Sequence, residues 1–81
     1  SMSDFKIIHD RPTCIGCGVC AAINPKHWVM STEDGKSDVV GCEMDGTNEV
    51  LEIEELGSDM EAAEACPVNC IHLYEKDKKL I

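Results

Sequence analysis

The sequence has few basic residues and lacks a long apolar run. Its 81 residues contain 7 Lys and Arg against 16 Asp and Glu, which gives a formal net charge of −9. A chain this acidic does not suit binding to nucleic-acid phosphates. A membrane-spanning helix needs about 20 consecutive apolar residues, and neither such a run nor a basic-then-apolar leader occurs. We therefore expect a cytoplasmic protein with no nucleic-acid partner and no membrane partner.

The chain is short and rich in cysteine. We expect one domain over residues 1–81, with Ser1 a remnant of a purification tag. A core of this size is only marginally stable by itself. The 6 cysteines could add disulfides, a metal ion or a cluster. Because cytoplasmic thiols stay reduced, clustered cysteines favour metal ligation over disulfides.

The spacing of four cysteines is the most specific feature of the sequence. Three are separated by two residues each in a glycine-containing loop, and the fourth lies far along the chain before a proline: Cys14, Cys17, Cys20 and Cys66. Iron in a cubane cluster binds soft, anionic sulfur, and proteins supply it in this arrangement. Gly16 and Gly18 let the backbone turn tightly and approach a bulky cluster.

Three other function classes fit the pattern less well. A structural zinc module with four cysteines usually shows paired C-x2-4-C motifs. A secreted domain stabilised by disulfides requires a leader. An enzyme is not expected, because four thiolates on iron leave no open coordination position and no nucleophile with a base is visible.

Local patterns predict an α+β domain with the order β-α-β-β-α-β. The predicted strands cover 5–9, 27–32, 36–40 and 71–75, and the predicted helices cover 19–24 and 58–66. Asp34-Gly35 predicts the turn of a hairpin, and we expect the first and last strands to pair. Residues 41–49 show no regular pattern beyond a turn at Asp45-Gly46, and residues 76–79 are predicted to form a solvated tail.

The second predicted helix carries further signals. Ser58 and Glu61 fit a capping box, so we predict that the regular helix begins at Ser58. Pro67 cannot donate to the helical hydrogen-bond ladder and predicts an end at Cys66. Apolar residues three and four apart predict one buried helical face, although Gly57 interrupts it: Ile53, Leu56, Met60 and Ala63.

The cysteine pattern resembles that of the bacterial-type ferredoxins, and the resemblance covers nearly the whole chain. It rests on residues 14–20 and 64–71. Two-cluster members carry C-x2-C-x2-C-x3-C-P, but here Asn24 replaces the last cysteine before Pro25, and no second three-cysteine run precedes Cys66. The resemblance therefore implies a single-cluster 4Fe-4S ferredoxin with a ferredoxin-like fold, stabilised by one cluster on four ligands: Cys14, Cys17, Cys20 and Cys66.

The same resemblance implies a function. A single-cluster ferredoxin is a soluble, low-potential one-electron carrier, and an electron-transfer subunit of a larger redox complex is the alternative. The implied partners are redox enzymes of the 2-oxoacid oxidoreductase, hydrogenase or ferredoxin-NADP reductase type. An acidic surface suits basic docking patches on such enzymes, with Asp10, Glu61 and Glu64 as candidate docking groups. We expect a monomer.

Several cysteines, histidines and aromatic residues remain outside the ligand set. We expect Cys70 to be a small buried side chain near the cluster and Cys42 an exposed free thiol, with a disulfide between them as the alternative. Histidines replace cysteines only in a Rieske-type site. None lies in the cysteine loop, so we expect all three on the surface: His9, His27 and His72. Trp28 and Tyr74 are expected to be packing aromatics, with Trp28 filling the region of a second cluster.

Overall fold

The computed structural model describes residues 3–81. In this part of the chain the strands are β1 Phe5–Asp10, β2 Trp28–Met30, β3 Ser37–Val39, β4 Glu43–Asp45, β5 Asn48–Ile53, β6 Ile71–Glu75 and β7 Lys78–Lys79. The helices are α1 Val19–Ile23 and α2 Asp59–Ala65, and a 3-10 turn covers Arg11–Thr13. This mixture confirms the α+β class. The predicted order is present, and β4, β5 and β7 are additional.

Strand β1 lies at the centre of the main sheet. The strand order is β4-β5-β1-β6-β7, with antiparallel neighbours. Ile7 pairs with Leu51 of β5 and with Leu73 of β6. Because alternate residues of a strand face the same side, Ile7 and His9 both point into the core, where each is 0% exposed. The predicted pairing of residues 5–9 with 71–75 is confirmed.

The hairpin of β4 and β5 lies where the sequence showed no regular pattern. Its turn contains Gly46 at φ 63°, as the predicted turn requires. In β5 the buried residue is Glu49, whereas Val50 and Leu51 are only half-buried. A strand that turns a carboxylate toward the core lacks the apolar alternation that identifies strands. The prediction of irregular structure was therefore wrong.

The second hairpin, β2 with β3, agrees with prediction. These strands form a separate two-stranded sheet in which Trp28 pairs with Val39 and Met30 with Ser37. Trp28 and Val39 are each 2% exposed. Their side chains fix the hairpin to the core, so the expectation that Trp28 packs in the interior is confirmed.

The start of α2 differs from the prediction. Ser58 is the N-cap residue but its side chain makes no capping hydrogen bond. Its hydroxyl instead lies 3.5 Å from the carbonyl oxygen of Ile23, at the end of α1. The predicted capping box with Glu61 is therefore wrong. The helix ends at Ala65, immediately before the predicted stop.

The predicted apolar stripe belongs to more than one element. Ile53 closes β5 and Leu56 lies in the following loop, so only Met60 and Ala63 are on the helix. Gly57 separates the two parts at φ 56°, outside helical geometry. Met60 and Ala63 do pack in or against the core.

Residues 76–79 are exposed, as predicted, but they are not an unstructured tail. Lys79 of β7 pairs with Tyr74 of β6, and both lysines of β7 are exposed. Leu80 and Ile81 then pack against the core. Leu80 and Ile81 thus hold the edge strand β7 in place. The two exposed lysines of β7 discourage pairing of this edge with another molecule.

No helix within residues 3–81 is long and apolar enough to cross a membrane.

Candidate cluster-binding site

The predicted ligands come together in one small pocket, here called the cluster pocket. It contains sulfur atoms from the loop before α1, from α1 itself and from the residue after α2: Cys14, Cys17, Cys20 and Cys66. Its other walls include the apolar side chains of Ile15, Val19, Val68 and Ile71. Thiolates are the ligands that iron-sulfur clusters prefer. The residues present therefore fit a cluster.

The cluster pocket is open on one side. Cys17 is exposed, Cys14 and Cys66 are half-buried, and Cys20 is buried. Ile15 beside Cys17 has 63% of its surface exposed. A group held in this pocket would thus lie nearest to solvent on the side of Cys17 and Ile15.

Glycine is required in the cysteine loop for two reasons. Gly16 and Gly18 have φ of 75° and 82°, a left-handed conformation that favours glycine. A Cβ atom at Gly16 would also overlap the carbonyl oxygen of Gly35, in the turn of the β2–β3 hairpin. The predicted need for glycine is confirmed at both positions. At Gly16 the close neighbour is the hairpin turn.

Ionic and polar contacts fasten the same hairpin to the 3-10 turn before the loop. The Arg11 guanidinium lies 2.7 Å from Asp34 and 2.6 Å from Asp38. Lys36 Nζ donates to the carbonyl oxygen of Pro12 at 2.9 Å. The hydrogen bonds from Arg11 hold the pKa of the Asp34 and Asp38 carboxyls below the usual value. Sequence reasoning assigned Asp34 only to a turn and missed this attachment.

Ser37 of β3 contacts Cys14, one of the four predicted ligands. It is 2% exposed, and its Oγ lies 3.5 Å from Cys14 Sγ. Burial tends to raise the pKa of the Cys14 thiol, but hydrogen bonds from the Ser37 side chain and backbone, together with the Gly16 backbone and the Lys36 charge, outweigh it and lower that pKa. Since thiolates rather than thiols bind metals, Ser37 favours the ligating form of Cys14.

The two remaining cysteines have different surroundings. Cys70 is 2% exposed, and its Sγ lies 3.6 Å from Cys66 Sγ, which confirms the expectation of a buried side chain beside the pocket. Cys42 is half-buried, not exposed as expected, and its Sγ lies 3.6 Å from Glu49 Oε2. Both are free thiols, so the alternative of a disulfide between them is not present.

The histidines are not all surface groups, and this expectation was wrong. His9 is 0% exposed, donates from Nδ1 to Glu49 at 2.7 Å, and meets the Trp28 ring edge-on with centroids 5.1 Å apart. His27 is half-buried, with Nδ1 2.6 Å from Asp59. His72 is half-buried on β6. A histidine can enter the core here because Glu49 lies opposite His9 on the neighbouring strand.

A buried carboxylate connects the two helices behind the cluster pocket. Asp59 is 0% exposed and accepts hydrogen bonds from Asn24 Nδ2 at 2.8 Å and from Trp28 Nε1 at 3.2 Å. Asn24 is the residue that replaces the last cysteine of the two-cluster pattern. At this position the side chain therefore serves in a polar network that holds α1 to α2.

Comparisons with known proteins agree with this geometry. The family described as "4Fe-4S single cluster domain" matches residues 7–73. A ferredoxin of Thermococcus litoralis is 39% identical over 67 residues, which cover 83% of this chain and 95% of the relative. A ferredoxin of Thermococcus kodakarensis is 38% identical over 71 residues, covering 88% and 95%. The crystal structure of ferredoxin I from Desulfovibrio africanus is similar at a TM-score of 0.62 and 29% identity, covering 88% of this chain and 97% of that one.

Proposed function

Because the chain belongs to the single-cluster 4Fe-4S ferredoxins, a family of electron carriers that hold one 4Fe-4S cluster, we propose that four thiolates bind its cluster: Cys14, Cys17, Cys20 and Cys66. One observation carries this assignment, namely that the four thiols of the cysteine pattern line the same mostly apolar pocket, which Cys70 also lines from outside the pattern. When bound, the cluster supplies a reversible one-electron couple.

The protein's own part is to shield the cluster and to set its potential. Val68 and Ile71 contribute apolar walls, and Ser37 offers a hydroxyl next to Cys14 Sγ. A net charge of −9 opposes the addition of a further electron. Burial, hydrogen bonds and charge are the factors that tune such sites. Apolar burial and negative charge support a low reduction potential.

The four-thiolate assignment supports a carrier without catalytic activity of its own. With all four ligands in place, no coordination position is left for a substrate. Electrons would pass to and from other proteins on the open side of the pocket, near Cys17 and Ile15. We place this activity in the cytoplasm, in a monomer.

The partners we propose are redox enzymes with basic docking patches, of the 2-oxoacid oxidoreductase, hydrogenase or ferredoxin-NADP reductase type. The acidic charge of the chain supports this choice, because opposite charges raise the rate of encounter. Of the candidate docking groups, Glu61 and Glu64 are exposed on α2. Asp10 is half-buried and accepts a hydrogen bond from Thr13 Oγ1 at 2.7 Å.

Anaerobic purification followed by metal analysis tests the assignment. We expect a brown protein with about four irons and about four sulfides per chain, whose broad visible absorption bleaches with dithionite. Cys20→Ser should lose or convert the cluster, whereas Cys42→Ser should leave the spectrum intact, since Cys42 lies outside the pocket. An unchanged spectrum in Cys20→Ser would overturn the ligand set.

A further inference from the structure

Two buried side chains, His9 and the pocket-lining Cys70, are not used by the proposed ligand set. His9 is 0% exposed and Cys70 is 2% exposed. A ring nitrogen of His9 and the Sγ atoms of Cys14 and Cys70 all lie within 4.8 Å of one another. Among the hydrogen bonds of residues 3–81, His9 Nε2 has no partner. A buried polar nitrogen without a partner is costly and requires an explanation.

The orientation of the His9 ring is fixed from its other side. Glu49 Oε1 lies 2.7 Å from His9 Nδ1 and also accepts the backbone N–H of Val39 at 3.1 Å. An ionised carboxylate can only accept, so Nδ1 carries a proton, and in the tautomer without a proton on Nε2 the lone pair of that nitrogen is available to a metal ion. Metal-binding histidines are held in this way, with the second ring nitrogen donating to a carboxylate.

We propose that the cluster-free protein binds one zinc ion through His9, Cys14 and Cys70. Zinc prefers nitrogen and sulfur ligands in tetrahedral geometry at about 2.0–2.3 Å, which puts neighbouring ligand atoms about 3.3–3.8 Å apart. The three donor atoms lie within 4.8 Å of one another, so the side chains must move closer together to bind the ion. Cys66 Sγ, 3.6 Å from Cys70 Sγ, is placed to supply the fourth ligand. Each thiol that binds releases its proton to solvent.

Zinc and the cluster exclude each other in this arrangement. Both need Cys14 and Cys66, so one chain holds either the ion or the cluster. Their other requirements differ, because the zinc site uses His9 and Cys70, whereas the proposed cluster ligands include Cys17 and Cys20. The two assignments can therefore fail independently.

Metal titration of the full-length chain tests the proposal. The cluster is removed with acid and chelator, the thiols are reduced anaerobically, and zinc is added in competition with a chromophoric chelator. We expect one zinc per chain. His9→Gln and Cys70→Ser should weaken zinc binding more than about tenfold. Glu49 acts on the ion only by orienting the His9 ring, and Glu49→Gln should weaken zinc binding by about 10-fold to 100-fold.

Matched cysteine variants separate the two sites. Cys17→Ser and Cys20→Ser should bind zinc as tightly as the unmodified chain yet fail to assemble a normal cluster. His9→Gln and Cys70→Ser should still assemble the cluster from iron and sulfide, and the resulting visible spectrum also shows that they fold. If Cys17→Ser weakened zinc binding as much as Cys70→Ser does, the ion would lie among the cluster ligands and the proposal would be wrong.

Cobalt provides a readout that depends on no variant. Co²⁺ bound to the unmodified, cluster-free chain should give sulfur-to-metal charge-transfer absorption and a strongly shifted proton NMR signal from the exchangeable N–H of one imidazole. The spectrum must show both thiolate and histidine ligation. A cobalt spectrum with thiolate features and no shifted imidazole proton, or no binding of either ion, would overturn the site.

Discussion

Among single residues, Glu49 shows how one buried charge connects distant segments. It is 4% exposed. Its carboxylate accepts hydrogen bonds from His9 of β1 and from the backbone N–H of Val39 in β3. Burying a carboxylate is unfavourable unless it is paired and hydrogen-bonded. Burial first, and the Glu49 charge second, also raise the pKa of the Cys42 thiol. Cys42 is therefore held in its protonated, poorly nucleophilic form.

Ser37 gives a prediction at the same scale. Ser37→Ala removes the hydroxyl that lies 3.5 Å from Cys14 Sγ. Because a donor to a ligand sulfur stabilises the more negative, reduced state, its loss should lower the reduction potential. A tenfold fall in the equilibrium constant for reduction corresponds to about 59 mV, and we expect a shift of this order in an anaerobic redox titration.

The control for this prediction is Ser31→Ala in the same hairpin. The Ser31 hydroxyl accepts a hydrogen bond from the backbone N–H of Glu33, in the exposed turn. This variant should keep the potential of the unmodified protein. Equal potentials for Ser37→Ala and Ser31→Ala would show that the Ser37 hydroxyl does not act on the cluster.

At the scale of elements, the β2–β3 hairpin acts as a support for the cysteine loop. The loop alone is short and irregular, and its glycines add flexibility in the unfolded state. The hairpin contacts it through Gly35 against Gly16, through Lys36 and through the ion pairs of Arg11. We therefore expect the hairpin to govern how long the loop retains a bound cluster.

Arg11→Gln tests this expectation. The change removes both ion pairs with the hairpin while leaving the cysteines in place. These ion pairs are partly exposed, and such pairs are individually weak, so the melting temperature should change little, whereas the rate of cluster loss to a chelator should rise a few-fold. The matched control is Lys79→Gln, which removes the same charge from exposed β7. Equal rates of cluster bleaching in the two variants would contradict a supporting role for the hairpin.

At the scale of the whole molecule, charge is the dominant surface property. The 16 acidic residues outnumber the 7 basic ones, and α2 presents Glu61 and Glu64 to solvent just before Cys66. A surface of one sign steers a partner of opposite sign, and salt screens this effect over about 8–10 Å. Docking near the open side of the pocket should thus depend on ionic strength.

The double variant Glu61→Gln/Glu64→Gln tests where docking occurs. With a ferredoxin-NADP reductase as partner, we expect the second-order rate of electron transfer at low salt to fall by a few-fold, with a weaker dependence on salt. Glu54→Gln/Glu55→Gln removes the same charge from exposed positions after β5. If the two double variants reduced the rate of electron transfer equally, only the net charge of the protein would matter, and α2 would not be part of the docking surface.

The sequence predicted those parts of the fold that local patterns determine. Residues 71–75 alternate apolar and polar side chains, and the strand was found there. Strand β5 was missed because its core-facing position holds Glu49, whose burial depends on a histidine 40 residues away. Cysteine spacing predicted that four thiols lie together, and they line one pocket, which Cys70 and Ser37 also line. Ser37 was missed since it reaches Cys14 across 23 residues and belongs to no recognisable spacing.

The exposure of the cluster pocket on one side has a consequence for turnover. Cys17 is exposed while Cys20 is buried, so on the proposed ligand set we expect electrons to enter and leave on the same open side, here called the window. A donor and an acceptor cannot occupy this window together. With the proposed redox enzymes as partners, we expect the protein to release one before it meets the next, as a shuttle without a ternary complex, and an excess of oxidised donor enzyme should compete with delivery to the acceptor.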